Sequence, residues 1–254
     1  MKISVDPASP SELLSWRERF RAETKGQIVH DSLHRRDGWT VSYLFSVDGQ
    51  PVGYGSTAVA GPWTGQPTIL ELYIQPEQRF RAFALFEAFL AGCGARHFEV
   101  QANDELLTVM LHAYGQDIVS EKIVFEDKLA TALPGKGALL GRISTEANDR
   151  RCVEQRQGGS EWRLDFEGAT VATGGINFHY NQPYGDIYME VMEGYRRQGW
   201  GAYMVQELKR VTYQLGQIPC ARCNTSNIAS RRTTQKAGFV PCGHILLGSI
   251  AGNS

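Results

Sequence analysis

No apolar run in the sequence approaches the roughly 20 residues that span a bilayer, and no membrane partner is expected. The opening, Met1-Lys2-Ile3-Ser4-Val5-Asp6, lacks the long apolar core of a secretory signal. Charge of one sign is missing too: 26 lysines and arginines against 27 aspartates and glutamates leave a net charge of -1. Nucleic-acid partners call for a marked basic excess, so none is expected. Cysteine is sparse and odd in number. The five (Cys93, Cys152, Cys220, Cys223 and Cys242) are scattered, whereas a secreted disulfide framework has an even count at tight spacing. Reduced thiols in a cytoplasmic protein are the expectation. Cys220-Ala221-Arg222-Cys223 is formally a C-x-x-C, but it has no second ligand pair at zinc spacing and reads as a strand after Ile218-Pro219. No metal site is expected.

What is present is an ordinary globular pattern. At 254 residues the chain can bury a sizeable core without disulfides or metals. Ser9, Pro10 and Glu12 form a capping signature ahead of an apolar stripe through Leu13, Leu14, Trp16 and Phe20. From Trp39 the period becomes that of strands. A hairpin through Asp48-Gly49 is followed by the extended run Ile69–Ile74, a helix from Arg81 to Leu90, a strand at His97–Val100 and a helix at Glu105–His112. The same order returns later. A hairpin turns at Glu167-Gly168, a strand covers Ile187–Val191, a helix Gly201–Leu215, a strand Ile218–Cys223, a helix Ile228–Lys236, and Phe239-Val240 begins another strand. Gly49 and Val52 map onto Gly168 and Val171, and Arg79 onto Arg196. Internal duplication is the simplest account. The fold class is α/β (α+β): two tandem domains, 1–135 and 136–254, each a mixed, mainly antiparallel sheet flanked by helices. Leu133-Pro134-Gly135-Lys136-Gly137 reads as the linker.

Chemistry concentrates at Val191-Met192-Glu193-Gly194-Tyr195-Arg196-Arg197-Gln198-Gly199-Trp200-Gly201-Ala202. A strand ends there and a helix begins, with Met204, Leu208, Val211 and Leu215 along one face, Lys209 and Arg210 toward its carboxyl end, and Gly216 as its stop. Glycines at a helix start allow close approach by a ligand, and the unpaired amides there attract phosphate. Arg196 and Arg197 would add charge-assisted hydrogen bonds. The plain alternative is a tight turn with close helix–strand packing. A dinucleotide fold would want a third glycine where Met204 stands, and a P-loop would want Gly-Lys-Ser/Thr.

Arg196-x-x-Gly199-x-Gly201-Ala202 resembles the pyrophosphate signature of the GNAT acetyltransferase superfamily. Asn227-x-x-Ser230 and Lys236-Ala237-Gly238-Phe239 resemble that family's second block at the proper distance. The resemblance implies a cleft between the strands ending at Val191 and at Cys223. In it the main chain of Met189 to Val191 would pair with the pantetheine arm of acetyl-CoA. Amides from Gln198 through Gly199, Trp200 and Gly201 to Ala202 would hold the pyrophosphate, and Asn227 and Ser230 would lie near the pantetheine or thioester. A backbone N–H near Val191 would polarise the thioester, and a primary amine would attack directly. The family often carries a tyrosine as general acid four residues before the glycine of Gly-Phe, where this chain has Thr234, so the acid is unassigned. For the base the strand offers Asp186, Tyr188, Glu190 and, beyond it, Glu193. Glu190 and Tyr188 alternate onto one face, and either is expected to deprotonate the amine through water. Cys223 as an acyl-carrying nucleophile lacks a histidine partner. His179 and Tyr180 could line the acceptor pocket.

In the first half, Ala82 and Ala84 stand where the second has Gly199 and Gly201, and methyl groups would obstruct a pyrophosphate. Asn103 and Tyr114-Gly115 keep an outline of the later Asn…Gly-Phe block. That half is expected to be fold-competent but coenzyme-poor, buttressing the active half or shaping its acceptor site. The expected activity is N-acetyl transfer to an unidentified amine, of a small molecule or of a protein. A non-catalytic acyl-CoA-binding or regulatory module is the alternative. Oligomeric state is open between monomer and homodimer.

Overall fold

Both expected hairpins form, and for the same local reason. Asp48 and Gly49, at φ 48° and 80°, and Glu167 and Gly168, at φ 50° and 79°, are two-residue turns with both residues left-handed. Their twist matches that of the strands they join. The computed structural model describes residues 2–28, 30–143, 160–178 and 180–252, so Cys152 and His179 lie outside the described residues.

The chain divides into two compact units. The first comprises Met1–Glu121 with His244–Ser254, the second Lys122–Gly243. In the first unit β1 (Ile3–Ala8) precedes α1 (Leu14–Thr24), the hairpin β2 (Thr40–Val47) and β3 (Gln50–Ala58), then β4 (Thr68–Ile74). There follow α2 (Ala82–Cys93), β5 (His97–Gln101), α3 (Glu105–Tyr114) and the first part of β6 (Gly115–Asp127). The capping bonds expected of Ser9 and Glu12 form, with the Ser9 amide donating to Glu12 Oε2 at 2.8 Å, but the regular helix starts only at Leu14. Every residue of β4 is buried, as a strand covered on both faces requires. Phe45, Leu72, Phe86, Phe89 and Phe98 form the centre of this core.

The second unit takes Lys122–Asp127 of β6, followed by β7 (Leu139–Arg142), β8 (Ser160–Phe166), β9 (Ala169–Asn177) and β10 (Tyr184–Val191). Then come α4 (Trp200–Gln214), β11 (Ile218–Asn224), α5 (Ile228–Lys236) and the start of β12 (Phe239–Ile250). Strand order is β6-β11-β10-β9-β8-β7, with only β10 and β11 parallel. Met204, Leu208 and Val211 bury against Leu164, Ile176 and Ile187, whereas Leu215 falls just past the helix and is half exposed.

Three expectations need revision. The compact units part at 121/122, not 135/136, and the end of β12 returns to the first unit. The reason is strand pairing. β11 is flanked by Lys122–Asp127, in register from Cys220↔Glu126 to Asn224↔Lys122, and β5 is flanked by the late strand, from Ile245↔Gln101 to Ser249↔His97. Nor is 133–137 a free spacer: the Leu133 amide donates to Gln206 Oε1 at 2.7 Å, and Gly135 lies against the Tyr203 ring. Lys209, finally, serves no helix end. Buried in mid-helix, its ammonium lies 2.6 Å from Asp127 Oδ1 and donates to the carbonyls of Leu129 and Ala237 at 2.8 Å each. No helix among the described residues is long and apolar enough to cross a membrane.

Candidate active site

The second unit opens where β10 and β11 part. Their parallel pairing runs from Tyr184↔Ile218 to Ile187↔Ala221 and no further, while β10 stays paired with β9 through Val191. The gap is a cleft of about 780 Å³, counting its open mouth, and Tyr188, Met189, Arg222, Cys223, Ser230 and Thr234 are among its walls.

Near Val191, where β10 ends, a 3₁₀ turn at Glu193–Tyr195 leads into α4. Arg197 and Gly199 are left-handed, at φ 61° and 93°. Among the described residues no acceptor is found for the amides of Arg197 to Ala202. The first to bond back is Tyr203, to the Gly199 carbonyl at 3.1 Å. This is the bare helix start expected from the sequence. The two glycines divide the work. Gly199 is exposed, and a Cβ built on it would meet nothing within 4 Å. Gly201 is buried, and a Cβ there would come within 3.1–3.2 Å of Met189 Cε, Thr233 Cγ2 and Val191 Cγ2. It is a packing residue, bringing α4 close to β10 and α5. Arg196 and Arg197 are exposed beside the turn, Arg196 Nε donating to the Val191 carbonyl at 3.4 Å and Gln198 Nε2 to the Gly194 carbonyl at 3.2 Å. Trp200 is buried against Phe166, with ring centroids 4.8 Å apart.

A third cation stands at this helix start. Lys136 Nζ lies 5.3 Å from the Trp200 ring centroid and donates to the Gln198 carbonyl at 3.4 Å. Sequence reasoning missed it, since no local motif links a residue so far upstream to the helix.

Of the other expected residues, Tyr188 and Ser230 line the cleft and Asn227 does not. Asn227 caps α5, its Oδ1 accepting from the Ser230 amide at 2.9 Å. Glu190 is exposed on the Tyr188 face of β10, opposite Thr173, and is not among the lining residues. Thr234 is buried in the wall. Burial pushes the Cys223 thiol up, against the Ser230 hydroxyl bonded to it, which disfavours a nucleophilic thiolate. Tyr180 is buried and receives a hydrogen bond from Arg222, whose guanidinium lies 4.7 Å from the ring centroid. Arg222 Nε donates to Asp186 Oδ2 at 3.2 Å. Asp186, 4% exposed, is raised above the usual carboxylate range by burial, with Arg222 opposing.

The first unit treats the same positions differently. β4 and β5 pair only at Thr68↔His97 and Ile69↔Phe98, but Ile28, His30 and His34 bridge the strands beyond. Ile28 donates its amide to Gln101 Oε1 at 2.6 Å, His30 bonds Glu99 at 2.9 Å, and His34 lies 3.2 Å from Glu71. Glu71, 1% exposed, also accepts from the Tyr54 hydroxyl at 2.8 Å. Its burial alone would raise its pKa, yet His34 and Arg17 hold it at about 2. The helix start differs too. Pro76–Arg81 is a 3₁₀ turn running directly into α2, and no described residue from 76 to 93 is left-handed.

The GNAT acetyltransferase family model matches residues 139–239. Among solved structures the chain is similar to a GNAT-family acetyltransferase from Colwellia psychrerythraea, at 15% identity and a TM-score of 0.76 over 98% of this chain and 100% of that one. It is also similar to a tandem GNAT protein from the clavulanic acid biosynthesis pathway, solved without AcCoA, at 15% identity, TM-score 0.65 and 100% of both chains. A third likeness is to a GCN5-related N-acetyltransferase from Sphaerobacter thermophilus, at 14% identity, TM-score 0.63, and 97% and 95% coverage. No curated protein matches by sequence.

Proposed function

We propose, for a chain whose residues 139–239 match the GNAT acetyltransferase family model, that the second unit transfers the acetyl group of acetyl-CoA directly to a primary amine. One observation carries this reading. A strand gap open beyond Ile187↔Ala221 leads to a helix start whose amides from Arg197 to Ala202 have no acceptor among the described residues. These residues fit the coenzyme. The amides, with Arg196, Arg197 and Lys136, would hold its phosphates, and the main chain from Met189 to Val191, which no longer pairs with β11, would receive the pantetheine amides. When bound, the coenzyme supplies an activated thioester.

The chain's own residues do the rest. Tyr188 presents its side chain in the cleft. Glu190, two residues on and solvated, takes the amine proton through water. Asn227 holds the first turn of α5 so that Ser230 meets the cleft. Thr234 in the wall leaves departure of the thiolate to water. In the first unit the residues that bridge β4 and β5 exclude a ligand from the corresponding gap, so one acetyl-CoA binds per chain. The reaction needs no metal, and the protein acts in the cytoplasm as a monomer or homodimer.

The test is calorimetric titration with acetyl-CoA followed by thiol release across an amine panel. Binding at one site per chain with turnover of some amine is expected. Binding without turnover would make the chain an acyl-CoA-binding or regulatory module, and no binding would end the proposal.

A further inference from the structure

Strand register gathers charged groups on one face of the second unit's sheet. Asn177 pairs with Asp186, Asp186 with Cys220, and Asn224 with Lys122, so these residues share a face. The period of two along each strand adds Tyr188 and Arg222 to it. All but Cys220 line the cleft. This wall therefore sets one carboxylate among two cations and two amides.

The carboxylate is half-satisfied. Asp186 Oδ2 accepts from Arg222, but Oδ1 is buried in the wall with no hydrogen-bond partner among the described residues. A buried acceptor in that state costs stability until a donor arrives. Lys122 lies near enough to favour the ionised form of Asp186. Glu126 shares the face, opposite Cys220, but is taken by Lys128 at 3.1 Å. Arg231 acts on Cys223 from α5 and adds positive charge rather than cancelling it. Glu190 is solvated beyond the lining. A ligand here meets an acceptor for its N–H beside a cationic flank.

We propose that the acceptor amine also carries a carboxylate, the nitrogen donating to Asp186 Oδ1 and the carboxylate held by Lys122 and Arg222. The inference rests on the acyl-transfer reading above and narrows its substrate class to amino-acid-like amines. Polycationic amines would set further positive charge against Lys122 and Arg222, a repulsion that selects against them.

The experiment compares acetyl-CoA-dependent thiol release for amino acids and their decarboxylated counterparts: glycine with methylamine, β-alanine with ethylamine, lysine with cadaverine. The acid of a pair is expected to show kcat/KM at least about tenfold above its counterpart, chiefly through KM, because a site built for a charged group rejects the analogue lacking it. Lys122→Gln should lower that ratio severalfold. Arg222→Gln is the second variant, checked for folding by thermal melt. Equal or better turnover of the decarboxylated amines overturns this inference while leaving acyl transfer standing. So does a ratio unmoved by either variant. Acetyl-CoA bound without turnover of any amine, or not bound at all, overturns the acyl-transfer reading and this inference with it.

Discussion

Replacing Gly199 and Gly201 separately by alanine distinguishes a phosphate cradle from a packed turn. Gly199 sits at φ 93°, ψ -6° with open space around its Cβ position. Gly199→Ala therefore adds only backbone strain, about 1–3 kcal/mol for a non-glycine residue held left-handed. Gly201→Ala costs a similar amount, about 1–3 kcal/mol, by overpacking, since its methyl would press on Met189, Val191 and Thr233 at 3.1–3.2 Å. At about 2–4 °C per kcal/mol for chains of this size, both should melt several degrees below wild type. Coenzyme affinity then separates them. The methyl at 199 projects from the exposed turn among the bare amides. If it removes one charge-assisted hydrogen bond of about 1.5–3 kcal/mol, acetyl-CoA binds roughly 10- to 100-fold more weakly. The methyl at 201 points into the packing of α4 on β10 and α5 and should leave affinity little changed. Calorimetric titration of both variants decides. A folded Gly199→Ala with wild-type affinity would refute the cradle, and so would Gly201→Ala weakening binding as much as Gly199→Ala.

Further predictions concern the buried ions. Lys209→Met leaves Asp127 buried without its cation and should lower stability by about 3–5 kcal/mol, read by urea denaturation; a loss under 1 kcal/mol would contradict the described network. Asp104 caps α3 by accepting from the Leu107 amide at 3.0 Å, and burial raises its pKa from 3.8 to about 7. Its contribution is complete below pH about 4 and lost as pH rises through about 7. Asp104→Asn keeps the cap without the charge, so it should flatten the decline between pH about 4 and about 7 and exceed wild type in stability at pH 8. Glu71 runs the other way. Held at about 2 by His34 and Arg17 against its own burial, it supports the fold above pH about 4.5 and loses that support as pH falls toward 2. Glu71→Gln should cost about 3–5 kcal/mol at neutral pH by stranding the buried Arg17 guanidinium, and acid denaturation of the variant should begin from a correspondingly lower plateau. A variant as stable as wild type at pH 7 would show that the cluster contributes nothing.

The local features were legible because each is a short-range matter. Asp48-Gly49 and Glu167-Gly168 state their turns through residues that tolerate positive φ. The stripe Met204, Leu208 and Val211 states which face of α4 is buried. The contrast of Gly199 with Ala82 marked which half opens its helix on a glycine, and the structure makes that glycine left-handed. Motif spacing reads less well when two glycines in one signature serve different ends: Gly199 relieves backbone strain, while Gly201 relieves crowding by side chains distant in sequence. Asp186 was visible as one of four acidic or phenolic residues near the strand, but its burial beside Arg222 was not, because Arg222 lies 36 positions further on.

The sequence by itself determined the order of elements, both hairpins and the bare helix start at Gly199, since each depends on residues a few positions apart. Only the tertiary structure decided which strand flanks which. Lys122–Asp127 completes the second unit's strand set beside β11, and Ile245–Ser249 completes the first unit's beside β5. Backbone hydrogen bonds between strands carry no side-chain code, so a pairing across a hundred residues leaves no local trace. The same holds for the lysine at 136, for the residues that bridge the first unit's strands, and for the charged wall around Asp186. Each is a meeting of distant segments, specified by packing once the chain has folded.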